Sequence, residues 1–142
     1  MANGLEKREF QRLNVPIKVV TEIVTGADES TDLPPLQVQS RNISKAGICI
    51  ETTTIEIAGV NMLSGSPSAR ENRLRLKIDL IPDEPPVTAI GEARWYDIVR
   101  EANECTYQVG IEFLDVKDLG RDQLARFLKR HRTGGFFRKL FG

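Results

Sequence analysis

Two arginines four positions apart, Arg8 and Arg12 in EKREFQRLNV, stand just ahead of the first β-branched run of the chain, with Lys7 beside them. A guanidinium is a planar fork of N–H donors. It can pair side-on with guanine O6 and N7, stack over a purine face, or grip phosphate, whereas lysine does only the last well. The same residues could also be a solvated basic arm. About thirty positions on, RNISKAGICI (41–50) sets Asn42, Ser44 and Gly47 between two strand-like runs. On a plain structural reading, Asn42 and Ser44 fold back onto their own backbone in an Asx or ST turn, and Gly47 supplies a dihedral angle closed to larger residues. On a functional reading, the same short side chains and the N–H groups of a tight turn form a small concave array suited to a polar planar base or a phosphate. Two guanidinium forks beside an Asn/Ser/Gly turn suit an anionic guanine nucleotide.

Catalysis finds no comparable constellation. His131, the one histidine, sits in KRHR among positive charges and reads as a structural helix residue. Cys49 and Cys105 lack the paired spacing of zinc ligands and are expected as small core residues in a reducing compartment. There is no Gly-rich phosphate loop and no nucleophile elbow, and the carboxylates are scattered along polar strand faces. The expectation is a non-enzyme without catalytic residues, metal or cofactor.

Strand signals dominate the elements that must position these residues. VPIKVVTEIV (15–24), LQVQ (36–39), GICIETTTIEI (47–57), RLRLKIDL (73–80), VTAIGEARWYDIV (87–99) and TYQVGIEFL (106–114) form six strand-like runs. In the fourth, Leu74, Leu76, Ile78 and Leu80 face one way and Arg73, Arg75, Lys77 and Asp79 the other, the period of a half-buried strand. REANEC (100–105) reads as a hairpin turn, and TGADESTDLPP (25–35) and VNMLSGSPSAREN (60–72) as surface loops. From Asp118, a candidate N-cap, the spacing of Leu124, Phe127, Leu128 and His131 predicts an amphipathic helix, stopped by TGG at 133–135. Its apolar stripe must cover an end or flank of the sheet. Six strands without intervening helices predict an all-β antiparallel barrel or sandwich with one C-terminal helix.

Length and charge bound the function. At 142 residues the chain suits one domain. No signal peptide or run of about 18 apolar residues is present, so a cytoplasmic protein without a transmembrane segment is expected. Net charge is zero, but residues 117–142 carry eight Lys/Arg against two Asp/Glu, a local +6 that leaves −6 on residues 1–116. An acidic body and only nine aromatics disfavour a single-stranded nucleic-acid binder, whose affinity comes from phosphate neutralisation and base stacking.

The two opening stretches resemble a known family. Arg8-Glu9-Phe10-Gln11-Arg12 matches RxxxR, and Asn42-Ile43-Ser44-Lys45-Ala46-Gly47 matches (D/N)xSxxG. In this order and spacing, with the GEARW and YQVGIEF strands and a closing helix, they are similar to the PilZ domain, the bacterial receptor module for cyclic di-GMP. The resemblance spans roughly residues 5–132. It implies a six-stranded antiparallel β-barrel with a C-terminal helix, and assigns Arg8 and Arg12 to guanine and phosphate. Asn42 and Ser44 would take the other guanine edge or a phosphate, Gly47 would permit close backbone approach, and Lys7 could add a phosphate contact. Asn42 replaces the commoner Asp. Trp95 matches a family strand aromatic and is read as barrel core in preference to a base platform.

Residues 1–14 hold few apolar anchors, and the expectation is a switch without chemistry: on ligand binding this arm orders by bridging to the 42–47 turn of a barrel-plus-helix body (15–132) and creates a new face. Without a fused output module, regulation is expected to pass to a separate protein partner of motility, polysaccharide or regulatory machinery. The alternative is a PilZ-like adaptor with a vestigial nucleotide site. The basic aromatic tail, 133–142, offers Phe136, Phe137 and Phe141 for docking on its own domain, in a homodimer, or elsewhere.

Overall fold

The structure, a computed structural model, describes residues 16–24, 31–63 and 73–133. Six strands close into an antiparallel barrel: β1 (Lys18–Val24), β2 (Leu36–Ile43), β3 (Gly47–Thr52), β6 (Arg73–Ile78), β7 (Val87–Glu101) and β8 (Glu104–Val116), in the order β1-β2-β3-β8-β7-β6. A two-stranded hairpin, β4 (Glu56–Ile57) with β5 (Val60–Asn61), follows β3, and the helix α1 (Gly120–Thr133) follows β8. Period-2 patterning selects the inner face. Leu74, Leu76 and Ile78 are fully buried while Arg73 and Lys77 are exposed, and Val19 and Ile23 meet them from β1 across the closing seam. Each such aliphatic side chain taken from water contributes about 1.5–3 kcal/mol. The alternation read from sequence is thus the barrel's inside and outside.

Several boundaries shift. The run expected over 47–57 breaks after Thr52, whose hydroxyl bonds to the Thr54 carbonyl oxygen at 2.8 Å. The chain then turns through Ala58 (φ 51°) and Gly59 (φ 85°), and two positive φ values in a two-residue loop match the twist of a tight hairpin. Part of the expected 60–72 loop is therefore strand, and it inserts Met62, fully buried, with Ile57 into the core cluster. The REANEC turn is tighter than expected. Arg100↔Cys105 and Glu101↔Glu104 are strand pairs, leaving Ala102 (φ 53°) and Asn103 as the loop. In consequence Cys105 is exposed at the hairpin end, not in the core, while Cys49 is buried.

The helix carries its expected stripe, but Asp118 is not its cap. Asp118 takes φ 51° in the preceding turn, and the Leu119 carbonyl accepts the first helical bond, from Gln123 N–H at 3.1 Å. Leu124 and Phe127 are buried in the core cluster and Leu128 packs against it. The His131 ring lies 4.2 Å from that of Phe127 and its Nδ1 donates to the Phe127 carbonyl oxygen at 3.1 Å, a structural role. Outside, Arg126 forks onto both Glu84 oxygens at 3.1 and 3.2 Å and reaches Asp122 at 3.1 Å. Hydrogen bonding from Arg126, aided by the charges of Arg126 and Arg130 against a desolvation cost, holds the Glu84 carboxyl below its ordinary range. A depressed carboxyl stabilises the fold above its unfolded pKa and loses that contribution as pH falls through its folded value. Urea midpoints measured from neutral to acid pH should fall less steeply for Glu84→Gln than for wild type.

Candidate functional site

The β2–β3 hairpin builds one wall. The register slips between Ser40 and Asn42, a β-bulge, so that Asn42 pairs with Cys49 and Ile43 with Ile48. Simple alternation from buried Ser40 would turn Asn42 inward and Ile43 outward. The extra residue reverses this: Ile43 is fully buried, while exposed Arg41 and half-buried Asn42 both lie on the outer surface. At the end of the hairpin the Ser44 N–H donates to the Gly47 carbonyl oxygen at 2.9 Å, and Ala46 N–H donates to Ser44 Oγ at 3.2 Å. Ser44 therefore forms the ST turn of the structural reading, and Asn42 belongs to the strand before it.

Gly47 needs no unusual dihedral angle. A Cβ there would run into the Ile111 carbonyl oxygen of β8, so it is close strand approach that excludes a side chain. The glycine thereby brings the turn down onto β8, where Phe113 N–H donates to the Ala46 carbonyl oxygen at 2.9 Å.

A second bulge shapes the opposite wall. Between Ala93 and Trp95 the β7–β8 register slips, and Trp95 pairs with Gly110. Alternation from Ala93 would send Trp95 into the barrel, but its side chain lies outside, 43 % exposed, over Gly110, where a Cβ would collide with the indole. The expectation of Trp95 as core is thus corrected. Arg94 shares this face and binds Glu112 through Nε at 2.7 Å and Glu92 through Nη2 at 3.2 Å.

Between the walls lies a depression of about 230 Å³ whose lining includes Ser44, Gly47, Cys49, Arg94, Trp95 and Glu112. A neighbouring one, about 380 Å³, is lined by Pro16, Gln39, Ser40, Arg41, Asn42 and Glu51. The pairing Asn42↔Cys49 makes them adjacent on one outer face. Pro16 is where the chain enters the described structure, and the next residue is pinned there: Ile17 N–H donates to Ser40 Oγ at 3.0 Å and Ser40 N–H to the Ile17 carbonyl oxygen at 2.8 Å. Asn42, Ser44 and Gly47 are therefore brought to one surface. Arg8, Arg12 and Lys7 lie outside the described residues, as do the rest of the expected arm, 1–14, and the tail beyond Thr133.

A family model for the PilZ domain matches residues 6–130, a span that includes Arg8 and Arg12 as well as the barrel and nearly all of the helix. The chain belongs to the PilZ family. This PilZ domain is similar to the Bacillus subtilis inhibitor of motility, MotI/DgrA, with a TM-score of 0.59 and 18 % identity over 90 % of this chain and 52 % of that one. The chain thus spans about half the length of the Bacillus subtilis protein. It is also similar to the PilZ domain with c-di-GMP of YcgR from Escherichia coli, with a TM-score of 0.58 and 14 % identity over 94 % of this chain and 98 % of that one. No curated protein sequence matches the chain. At such identities the likeness establishes the six-stranded barrel with its closing helix.

Sequence reasoning passed over Arg94 and turned Trp95 to the wrong face, and both line the depression. For Arg94 the signal was plain alternation, which turns it outward after Ala93; for Trp95 there was none, because only the bulge turns it outward. Among the described residues no group of three or more His, Cys, Asp or Glu could hold a metal ion, and no helix is long and apolar enough to cross a membrane.

Proposed function

We propose that this PilZ domain is a cytoplasmic receptor for cyclic di-GMP. Residues 1–14, carrying Lys7, Arg8 and Arg12, close over the outer face formed by Asn42, Ser44 and Gly47, and the altered surface of the 15–132 body regulates a separate protein. The observation that carries this reading is that Pro16 lines the same depression as Asn42. Extended chain spans at most about 3.3–3.6 Å per residue, so Arg12 can lie no more than roughly 14 Å from that depression's edge and Arg8 no more than roughly 28 Å. Both guanidinium forks have the reach to span the two depressions. Support also comes from the Asn42 amide, which has no side-chain hydrogen-bond partner among the described residues and stands half-buried at the surface. The Escherichia coli relative, a PilZ domain with c-di-GMP, has the same barrel.

No step in this mechanism makes or breaks a covalent bond. The ligand would supply guanine edges for the forks and two phosphates for their charge, and the ordering of the arm would convert binding into a new surface. Isothermal titration of cyclic di-GMP into the protein tests the reading, and a flat titration at high protein concentration would end it. Ser44→Ala should weaken binding only modestly, by about 0.5–1.5 kcal/mol, because one neutral hydrogen bond is lost and Ser44 Oγ already serves the turn. The same titration measures it.

A protein-contact role has its own support. On one face of the β7–β8 hairpin Tyr96 and Ile98, two positions apart, are 52 and 38 % exposed, an apolar pair suited to a partner surface. In the adaptor reading this hairpin would bind its partner whether or not cyclic di-GMP is present, and a pull-down in both conditions separates the two.

A further inference from the structure

Among the described residues lining the 230 Å³ depression, Arg94 is the one cation. It comes from neither sequence signature. Alternation after inward-facing Ala93 sets it on the outer face, the bulge brings Trp95 out beside it, and the carboxylates of Glu92 and Glu112, at 3.2 and 2.7 Å, hold its guanidinium there. Its side chain is 47 % exposed and that of Glu112 51 %, whereas Glu92 is largely covered at 13 %. An ion pair this open contributes little to stability, because water competes for both partners. It can therefore be exchanged at small cost. A guanidinium closed between a seated anionic nucleotide and the barrel wall is shielded from water, and its charge-assisted bonds there are stronger than those at the open rim.

We propose that Arg94 is a third ligand-gripping arginine, held in position by Glu92 and Glu112 and transferred from Glu112 to the bound nucleotide. The inference rests on the receptor reading above and adds to it a residue and an internal competitor. Glu112 plays two opposing parts: it keeps the fork over the groove, and it must be outcompeted when ligand arrives. Glu92, two residues before Arg94 on the same strand and better covered, is the partner that retains it.

Cyclic di-GMP is titrated by calorimetry into wild type, Arg12→Ala, Arg94→Met, Glu112→Gln and the Arg94→Met/Glu112→Gln double variant, with melting curves to confirm folding. Arg94→Met should weaken binding about tenfold or more, as for a truncated charged partner. Glu112→Gln should tighten it roughly threefold, and that gain should vanish in the double variant, since the coupling of contacting residues is what such a cycle measures. Wild-type affinity in Arg94→Met would overturn the inference. So would an equal gain from Glu112→Gln with and without Arg94, which would reduce Glu112 to a diffuse negative charge. If wild type binds and Arg12→Ala does not, either result leaves the receptor reading standing. If no variant binds, wild type included, the receptor reading falls and this inference with it.

Discussion

Replacing Arg12 or Arg8 by alanine will cost about 2–5 kcal/mol of cyclic di-GMP affinity, a loss of roughly thirtyfold to several thousandfold. The size follows from what is removed. A fork that meets phosphate or guanine makes two parallel charge-assisted bonds, and its truncation leaves the ligand's acceptor edge facing a gap that water fills poorly. The loss should exceed that of Ser44→Ala in both variants. Arg100, exposed near the end of the β7–β8 hairpin, provides the control, because Arg100→Ala removes the same charge from a position away from both depressions. Affinity should also fall as salt rises, and less steeply in Arg12→Ala than in wild type. Melting temperatures without ligand should stay close to wild type, since in this reading residues 1–14 order only when ligand is bound. Calorimetric titration reads all of these, and wild-type affinity in both alanine variants would remove the basis for an arm that clasps ligand.

The barrel was readable because its core strands obey a two-residue period wherever one face is buried, and Leu74, Leu76 and Ile78 show this with no break. The site was less readable because it is built where that period fails. A bulge inserts one residue and inverts every side chain beyond it, so Asn42 and Trp95 both occupy positions that strict alternation would assign to the interior. Asn42 was found through its signature, which is a pattern of residue types and does not depend on facing. Trp95 carries no such pattern of its own, and its match to a strand aromatic leaves its facing to alternation, which points it into the core. One hint for the first bulge was legible: Val38 and Ser40 keep period two, but the next inward residue, Ile43, comes three positions later. The helix cap failed for another reason. Asp118 is a good capping residue by type, yet Gly120 packs closely against Val87 and Val116 at the start of the helix, and the cap falls one residue on, at Leu119, with Asp118 spent on the turn.

Gly47→Ala separates a structural from a ligand-contact origin for the glycine of the second signature. Were Gly47 there only to let a nucleotide approach the backbone, a methyl group would leave the melting temperature unchanged and lower affinity alone. The structure leads to the opposite order. Gly47 has an ordinary φ, so alanine meets no backbone strain, and the whole cost arises where its Cβ meets the Ile111 carbonyl oxygen. Neither the carbonyl nor the strand behind it can turn aside as a flexible side chain would, so β3 and β8 must separate. Overpacking of this kind costs about 1–3 kcal/mol. For a domain of this size that corresponds to a drop of several °C in melting temperature, roughly 3–5 °C per kcal/mol. Separation also lifts the Ser44–Gly47 turn from Phe113, whose N–H is bonded to Ala46, and widens the groove below Trp95. Affinity for cyclic di-GMP should fall too, as a consequence of the displaced turn. Gly59→Ala gives the contrasting case: Gly59 has φ 85° and open space around its missing Cβ, so it should lose stability through backbone strain while cyclic di-GMP binding stays intact. A Gly47→Ala variant that melts like wild type but no longer binds would show that the ligand, not β8, is what the missing side chain makes room for.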